Sequence, residues 1–187
     1  DAAVHHTIQS AFLSAGQRCT CARRIFVPND AFGERFLARF VEVSSRISVG
    51  EYNAEPQPFM GAVISARAAS RLVAAQERLL ADGAHALLNM EQRDPKLGFV
   101  TPAILDVSAV KNLPDEEHFG PLAQIIRYDS FNEALEKAND SEFGLGSSIF
   151  TRDMAKAQRA IDELEAGYTW VNAVQIAHDE LPFGGTK

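Results

Sequence analysis

The fold is decided by residues 16–28, which run Gly-Gln-Arg-Cys-Thr-Cys-Ala-Arg-Arg-Ile-Phe-Val-Pro. Apolar residues recur at helical spacing over residues 2–15, and Gly16 stands where a helix commonly ends. Residues 24–28 are a short apolar run closed by proline, which favours a buried strand. The stretch therefore predicts a helix, a turn that carries Cys19, and a strand, the combination from which α/β sheets are built.

Helices and strands alternate along the rest of the chain. Helices are predicted over residues 30–45, 65–82, 131–139 and 151–165, with Asp30 and Thr151 as N-caps, and strands over 84–89, 98–107, 123–128, 146–150 and 169–172. The first of these helices is expected to bury a stripe formed by Phe32, Phe36, Phe40 and Val43. Because parallel strands need crossover connections, the alternation predicts one α/β domain over residues 1–187, with a parallel, doubly wound sheet.

Charge and cysteine content exclude several classes of protein. The 187 residues carry a net charge of −7 with no stripe rich in Lys and Arg, which argues against binding to nucleic acid or to an anionic membrane surface. No stretch approaches the roughly 20 apolar residues of a membrane span. The two cysteines, Cys19 and Cys21, do not make a secreted disulfide framework and have no partner at zinc-like spacing, so we expect a cytoplasmic protein with no metal site.

Cys19 is the candidate for chemistry, because it lies in a connection of the kind that forms ligand crevices in α/β sheets. Arg18, Arg23 and Arg24 place three positive charges within five residues of it, and positive charge lowers the pKa of a thiol. With backbone N–H groups to stabilise an oxyanion, the turn suits covalent catalysis through a thiohemiacetal and a thioester. The same placement also fits an ordinary buried cysteine with surface arginines, and the residues alone leave both interpretations open.

Five short motifs, spread in order from residue 16 to residue 187, resemble signatures of the aldehyde dehydrogenase family. They are Gly-Gln-Arg-Cys at 16–19, Glu-His-Phe-Gly-Pro at 117–121, Asn-Asp-Ser-Glu-Phe-Gly-Leu at 139–145, Gly-Tyr-Thr-Trp-Val-Asn at 167–172 and Pro-Phe-Gly-Gly-Thr-Lys at 182–187. The resemblance implies the catalytic domain of an enzyme that oxidises a small-molecule aldehyde with NAD or NADP. It also implies a homodimer or homotetramer.

The resemblance assigns roles to single residues at matching positions. Cys19 corresponds to the nucleophile, whose own N–H belongs to the oxyanion hole. Glu117 corresponds to the acid that binds the nicotinamide ribose, and Phe119 to the aromatic side chain that packs against the nicotinamide. Asn172 corresponds to a positioning residue, and Phe183 to an aromatic wall of the substrate tunnel. Without the resemblance, Glu117 would be a surface carboxylate and Phe119 a core side chain.

The substrate is indicated by a closer resemblance within the family. Residues 1–28 and 55–65 resemble succinylglutamate-semialdehyde dehydrogenases of arginine catabolism, whereas 167–187 is more similar to succinate-semialdehyde or general aldehyde dehydrogenases. Arg18, directly before Cys19, is a candidate to pair with a substrate carboxylate. An internal ion pair of Arg18 is an equally open alternative.

Some parts that the family uses are not found before Cys19. These are the general-base glutamate in its Glu-Leu-Gly-Gly motif, the asparagine of the oxyanion hole and the glycine turn of the cofactor domain. We therefore expect a fragment of the catalytic domain that lacks the cofactor-binding domain and the C-terminal end, with little activity by itself. Two alternatives remain: a CoA-acylating aldehyde dehydrogenase, in which a thiol replaces water in deacylation, and a catalytically incomplete assembly module.

Overall fold

A computed structural model describes residues 1–174 and 179–187. The elements, in chain order, are α1 (Ala2–Phe12), a 3-10 segment (Leu13–Gly16), β1 (Arg24–Pro28), α2 (Ala31–Ser44), α3 (Ala66–Ala81), β2 (His85–Leu88), β3 (Ala103–Asp106), β4 (Leu122–Tyr128), α4 (Phe131–Asn139), β5 (Gly146–Ile149), α5 (Met154–Glu163) and β6 (Tyr168–Val171). The predicted alternation of helices and strands is confirmed.

Four strands form the main sheet in the order β1-β4-β3-β2. The pairs β1–β4 and β3–β4 are parallel, as predicted, but β2 runs antiparallel to β3. The reason is the connection: residues 89–102 contain no crossover helix and are closed by an antiparallel bridge between Gln92 and Val100, so the chain returns beside itself. β5 and β6 pair with each other in a separate parallel sheet, which the single predicted sheet did not anticipate.

Both faces of the main sheet are covered, which confirms the doubly wound arrangement. Alternate residues of β4 point to opposite sides, so Leu122 and Ile126 pack with α3, while Ala123 and Ile125 pack with α1 and α2. Burial on both faces explains why β3 begins with three apolar residues and why apolar residues outnumber polar ones in β4. Pro102 lies just before β3, which is an interior strand of the sheet.

Short polar side chains cap the N-terminal ends of several helices. Asp30 accepts hydrogen bonds from the N–H groups of Phe32 and Gly33 and caps α2 as predicted. The prediction of Thr151 as the cap of α5 is wrong: Asp153 accepts from the first turn of that helix, and Thr151 accepts from the N–H of Asp153. No helix within residues 1–174 and 179–187 has both the length and the apolar character of a membrane span.

Two local predictions for the apolar helix faces are corrected by the structure. Phe32 is 58% exposed and does not belong to the buried stripe of α2. Phe40 is buried as predicted, Phe36 and Val43 are partly buried against the core, and Leu37 is a buried position that was not predicted. α1 ends at Phe12 rather than at residue 15, because Ser14 has a positive φ, as do the two residues after it. That left-handed run turns the chain sharply and leads it into the turn that carries Cys19.

Candidate active site

The Cys19 turn packs directly on the backbone that leads into β4. Gly16 has φ +65°, and a Cβ placed on it would lie 2.2 Å from the carbonyl oxygen of Gly120 and 2.8 Å from the nitrogen of Pro121. Only glycine fits both that conformation and that contact. Two motifs separated by about a hundred residues are thereby brought together, and the Cys19 side chain is exposed beside them.

Arg23 braces the turn from inside. Its Nη1 donates to the carbonyl of Cys21 at 2.6 Å, and its Nη2 donates to the carbonyls of Arg18 at 3.0 Å and Gly16 at 3.2 Å. The side chain is only 10% exposed. Arg23 was predicted to be one of three positive charges near the thiol, whereas in the structure it binds backbone carbonyls on both sides of Cys19.

The same guanidinium faces the second motif. Its Nε lies 3.5 Å from Oε1 of Glu117, an ion-pair distance without hydrogen-bond geometry. Its carbon lies 4.8 Å from the ring centroid of Phe119, within the range of a cation–π contact. The Glu117 side chain is 38% exposed and Phe119 is 45% exposed. A carboxylate and an aromatic ring are thus accessible beside the Cys19 turn, an arrangement that fits ribose hydroxyls and a flat ring.

His118, between those two residues, is buried and anchors the segment. Burial lowers the pKa of His118; the positive charges of Arg78 and Arg23 also lower it, against the opposing charge of Glu116. No role for His118 was predicted, because nothing in the sequence shows that its side chain points inward between the exposed Glu117 and Phe119.

The other two arginines near Cys19 have different roles. Arg24 donates to the carbonyls of Lys137 at 2.5 Å and Ala138 at 3.4 Å at the end of α4, so the prediction of three charges gathered around the thiol is wrong for Arg24. Arg18 donates from Nε to Oγ of Ser14 at 3.1 Å. Within the described residues Arg18 forms no ion pair, and its Nη groups reach no acceptor.

A cavity of about 380 Å³ lies beside the turn. Its lining includes His5, His6, Leu13, Arg18, Thr20 and Cys21. Three of these side chains are basic, in a chain whose net charge is −7. A larger cleft of about 520 Å³ between α1 and α2 contains no residue of the turn. Within residues 1–174 and 179–187, no group of three His, Cys, Asp or Glu side chains is placed to hold a metal ion.

The fourth and fifth motifs meet through another glycine contact. A Cβ on Gly167 would lie 1.7 Å from the carbonyl oxygen of Gly184. The contact brings Phe183 within 6.0 Å of the ring of Tyr168, centroid to centroid. Burial raises the pKa of Tyr168, and the charge of Cys19 raises it further. The Tyr168 hydroxyl is buried and, among the described residues, has no hydrogen-bond partner. No feature of the sequence around Tyr168 could have indicated this buried hydroxyl.

Asn172 joins β6 to the segment before α5. It has φ 55°, its Oδ1 accepts from the N–H of Thr151 at 2.9 Å, and its Nδ2 donates to the carbonyl of Thr151 at 2.9 Å. Lys187 similarly ties the last motif to the third, donating to the carbonyls of Asn139 at 2.6 Å and Ser141 at 2.9 Å. Both residues act here on backbone groups and position their strands and loops.

Comparisons with known proteins find a family and relatives that match the whole chain. The model of the aldehyde dehydrogenase family matches residues 1–187. N-succinylglutamate 5-semialdehyde dehydrogenase of Paraburkholderia xenovorans is 74% identical over 186 residues, which are 99% of this chain and 38% of that protein. Succinate-semialdehyde dehydrogenase of Burkholderia pseudomallei has a similar structure (TM-score 0.90, 32% identity, 100% of this chain and 39% of that one). So does betaine aldehyde dehydrogenase of Staphylococcus aureus in complex with NAD+ and with a BME-modified cysteine (TM-score 0.88, 27% identity, 98% and 38%). The chain spans about 38% of the length of the curated relatives it matches.

Proposed function

The chain belongs to the aldehyde dehydrogenase family, and from that premise we propose that it supplies the catalytic segment of an NAD(P)-dependent enzyme that oxidises a carboxylated semialdehyde. The observation that carries the proposal is the contact of Gly16 with Gly120. It packs the turn that carries the exposed Cys19 against the segment that carries the accessible side chains of Glu117 and Phe119.

Cys19 performs the covalent chemistry in this proposal. Its thiolate attacks the aldehyde carbon, forming a C–S bond and an oxyanion. Within the described residues, no acceptor is bound to the N–H of Cys19, so this group is free to donate to that oxyanion. Loss of a hydride from the thiohemiacetal gives a thioester on Cys19, which water then hydrolyses to the acid.

Glu117 and Phe119 are the residues that would hold the nicotinamide end of the cofactor. The carboxylate of Glu117 accepts no hydrogen bond from a described residue, so its oxygens are free for ribose hydroxyls, and the exposed ring of Phe119 offers a flat surface. The nicotinamide, when bound, supplies the acceptor for the hydride. We predict NAD or NADP as the cofactor, with no preference between the two.

The cavity beside Cys19 supports a substrate that carries a carboxylate. Among the described residues, neither Nη group of Arg18 donates a hydrogen bond, and His5 and His6 line the same cavity. A guanidinium recognises a carboxylate through paired hydrogen bonds, which suits a semialdehyde whose far end is acidic. The relatives at 74% and 60% identity are named for such a semialdehyde, which supports this substrate class for the present chain.

The experiment uses a chimera in which this chain replaces the matching segment of the Paraburkholderia relative. We expect Arg18→Ala to lower kcat/KM for a carboxylated semialdehyde by about tenfold or more, the loss typical of a charge-assisted hydrogen bond, while a neutral aldehyde of equal length changes little. Arg35→Ala, at an exposed position of α2, is the matched control for loss of one positive charge. An equal loss on both aldehydes would remove Arg18 from substrate recognition.

The CoA-acylating alternative uses the same nucleophile and differs only in the acceptor of the acyl group. We expect NADH formation by the chimera to be independent of CoA, with the free acid as product. Formation of an acyl-CoA would favour the alternative, and no aldehyde-dependent reduction at all would favour an assembly module. A homodimer or homotetramer stays a prediction, to be measured by light scattering.

A further inference from the structure

Arg23 contacts both halves of the candidate site. Three of its hydrogen bonds end on carbonyls of the Cys19 turn, at residues 16, 18 and 21. Its remaining face lies against Glu117 and Phe119. Among the described residues, no other side chain forms hydrogen bonds, ion pairs or ring contacts with both segments. These contacts explain why a nearly buried arginine stands four residues after the exposed Cys19.

We propose that Arg23 is a positioning residue that sets the orientation of the Cys19 turn and couples it to the cofactor-contacting segment 117–119. The proposal rests on the function proposed above, because it gives the two segments their roles. It goes beyond that function because it holds that one side chain, Arg23, sets the position of the nucleophile relative to the cofactor.

The first half of the proposal concerns the turn. The carbonyls of Gly16, Arg18 and Cys21 flank Cys19 on both sides, and all three accept hydrogen bonds from one rigid guanidinium. With those carbonyls fixed, the peptide units between them have little freedom to rotate, and the N–H of Cys19 stays available to an oxyanion. Lysine has three donors on one nitrogen and lacks the planar fork, so it cannot reproduce these directions.

The second half concerns Glu117 and Phe119. The ion pair between Arg23 and Glu117 is half-exposed, and its 3.5 Å separation leaves the carboxylate oxygens free to accept from other donors. The cation–π contact holds the Phe119 ring on the side of the turn. Arg23 thus restrains the positions of both side chains and leaves the carboxylate of Glu117 and the ring of Phe119 accessible to a ligand. A loss of this restraint is expected to weaken cofactor binding as well as slow the chemistry.

Arg24 provides the matched control. It is the next residue, an arginine of similar partial burial that also donates to two backbone carbonyls, but those carbonyls belong to α4. Its substitution removes the same charge and a similar number of hydrogen bonds without touching the Cys19 turn. A merely structural effect of losing an arginine in β1 will therefore appear in Arg24→Gln as well.

The test compares Arg23→Gln, Arg23→Lys and Arg24→Gln in the chimera. For Arg23→Gln we expect kcat to fall and the KM for NAD+ to rise, each by about tenfold or more. Arg23→Lys keeps the charge beside Glu117. We therefore expect it to reverse at least half of the rise in the logarithm of the KM for NAD+, while kcat stays low. Arg24→Gln should leave both constants within about threefold of the parent.

Hydrogen exchange of the backbone amides of residues 17–21 gives a readout that needs no activity. We expect exchange at these amides to accelerate by about tenfold or more in Arg23→Gln and Arg23→Lys, and not in Arg24→Gln. If the parent chimera does not oxidise aldehydes, the proposed function fails, and exchange still decides whether Arg23 holds the turn. Equal exchange in Arg23→Gln and Arg24→Gln, or kinetic constants that shift equally in both, overturns the proposal for Arg23.

Discussion

Gly16→Ala is the substitution that most directly perturbs the contact between the Cys19 turn and the backbone before β4. The added Cβ would lie 2.2 Å from the carbonyl oxygen of Gly120 and 2.4 Å from its carbon, far inside van der Waals contact. Both partners are backbone atoms, so no side-chain rotation relieves the clash. Alanine must also adopt φ +65°, a conformation that L residues rarely take.

The magnitude follows from two separate costs. A left-handed backbone costs an alanine about 1–2 kcal/mol, and forcing an extra carbon into a packed site costs about 1–3 kcal/mol more. The expected loss of about 2–5 kcal/mol is a large part of the roughly 5–15 kcal/mol that stabilises a domain. For a chain of this size, it corresponds to a fall in Tm of about 4–20 °C.

Three other glycines separate these costs. Gly83 has φ +105° and nothing within 4 Å, so Gly83→Ala measures the backbone conformation alone. Gly167→Ala measures a backbone clash without a positive φ, and Gly61→Ala meets neither obstacle. The assay is thermal unfolding followed by circular dichroism and by the fluorescence of Trp170, the only tryptophan. If Gly16→Ala melts within about 2 °C of Gly61→Ala, the proposed packing of the turn on Gly120 is refuted.

Three further predictions concern single side chains. The lowered pKa of His118 means that its neutral form is preferred in the folded state. Its contribution to stability is therefore present above about pH 6.5 and is lost as the pH falls through its folded pKa. His118→Asn should reduce the dependence of Tm on pH between pH 7 and 5, and an unchanged slope of Tm against pH would contradict this. Tyr168→Phe removes a buried hydroxyl that has no partner among the described residues and keeps the ring beside Phe183, so urea unfolding should show stability unchanged or raised by about 1 kcal/mol, not lowered by as much. Asn172→Ala removes two hydrogen bonds to Thr151 and leaves alanine at φ 55°, so it should cost about 2–4 kcal/mol, whereas Asn172→Gly should cost less because glycine tolerates that φ.

The sequence predicted those parts of the fold that depend on local signals. Asp30 caps its helix as expected, and the predicted strands β3 and β4 form the buried centre of the sheet, with the predicted strand β1 at one edge. The direction of β2 could not be predicted, because it depends on whether residues 89–102 form a crossover, and their composition does not decide that. The cap of α5 was misplaced by two residues because Thr151 and Asp153 are both good capping residues, and only the three-dimensional structure selects between them.

The candidate site was predicted through its motifs, and the structure adds the physical reason for several motif positions. Gly16, Gly120 and Gly167 each lie where a Cβ would collide with another segment, in two cases with another motif's backbone. What the sequence could not provide was side-chain direction. Arg23 and Arg24 are adjacent and chemically identical, yet one braces the Cys19 turn and the other binds the end of α4.

The central claim is that Cys19 forms the covalent bond to the aldehyde. Its most direct test is the rate of aldehyde-dependent NAD(P)H formation by the chimera carrying Cys19→Ala, beside the same chimera carrying Cys21→Ala. Removal of the nucleophile is expected to lower kcat by about a thousandfold or more, while loss of the Cys21 thiol should leave at least about a tenth of the rate. Activity in Cys19→Ala within about tenfold of the parent, or an equal loss in both variants, would contradict the claim.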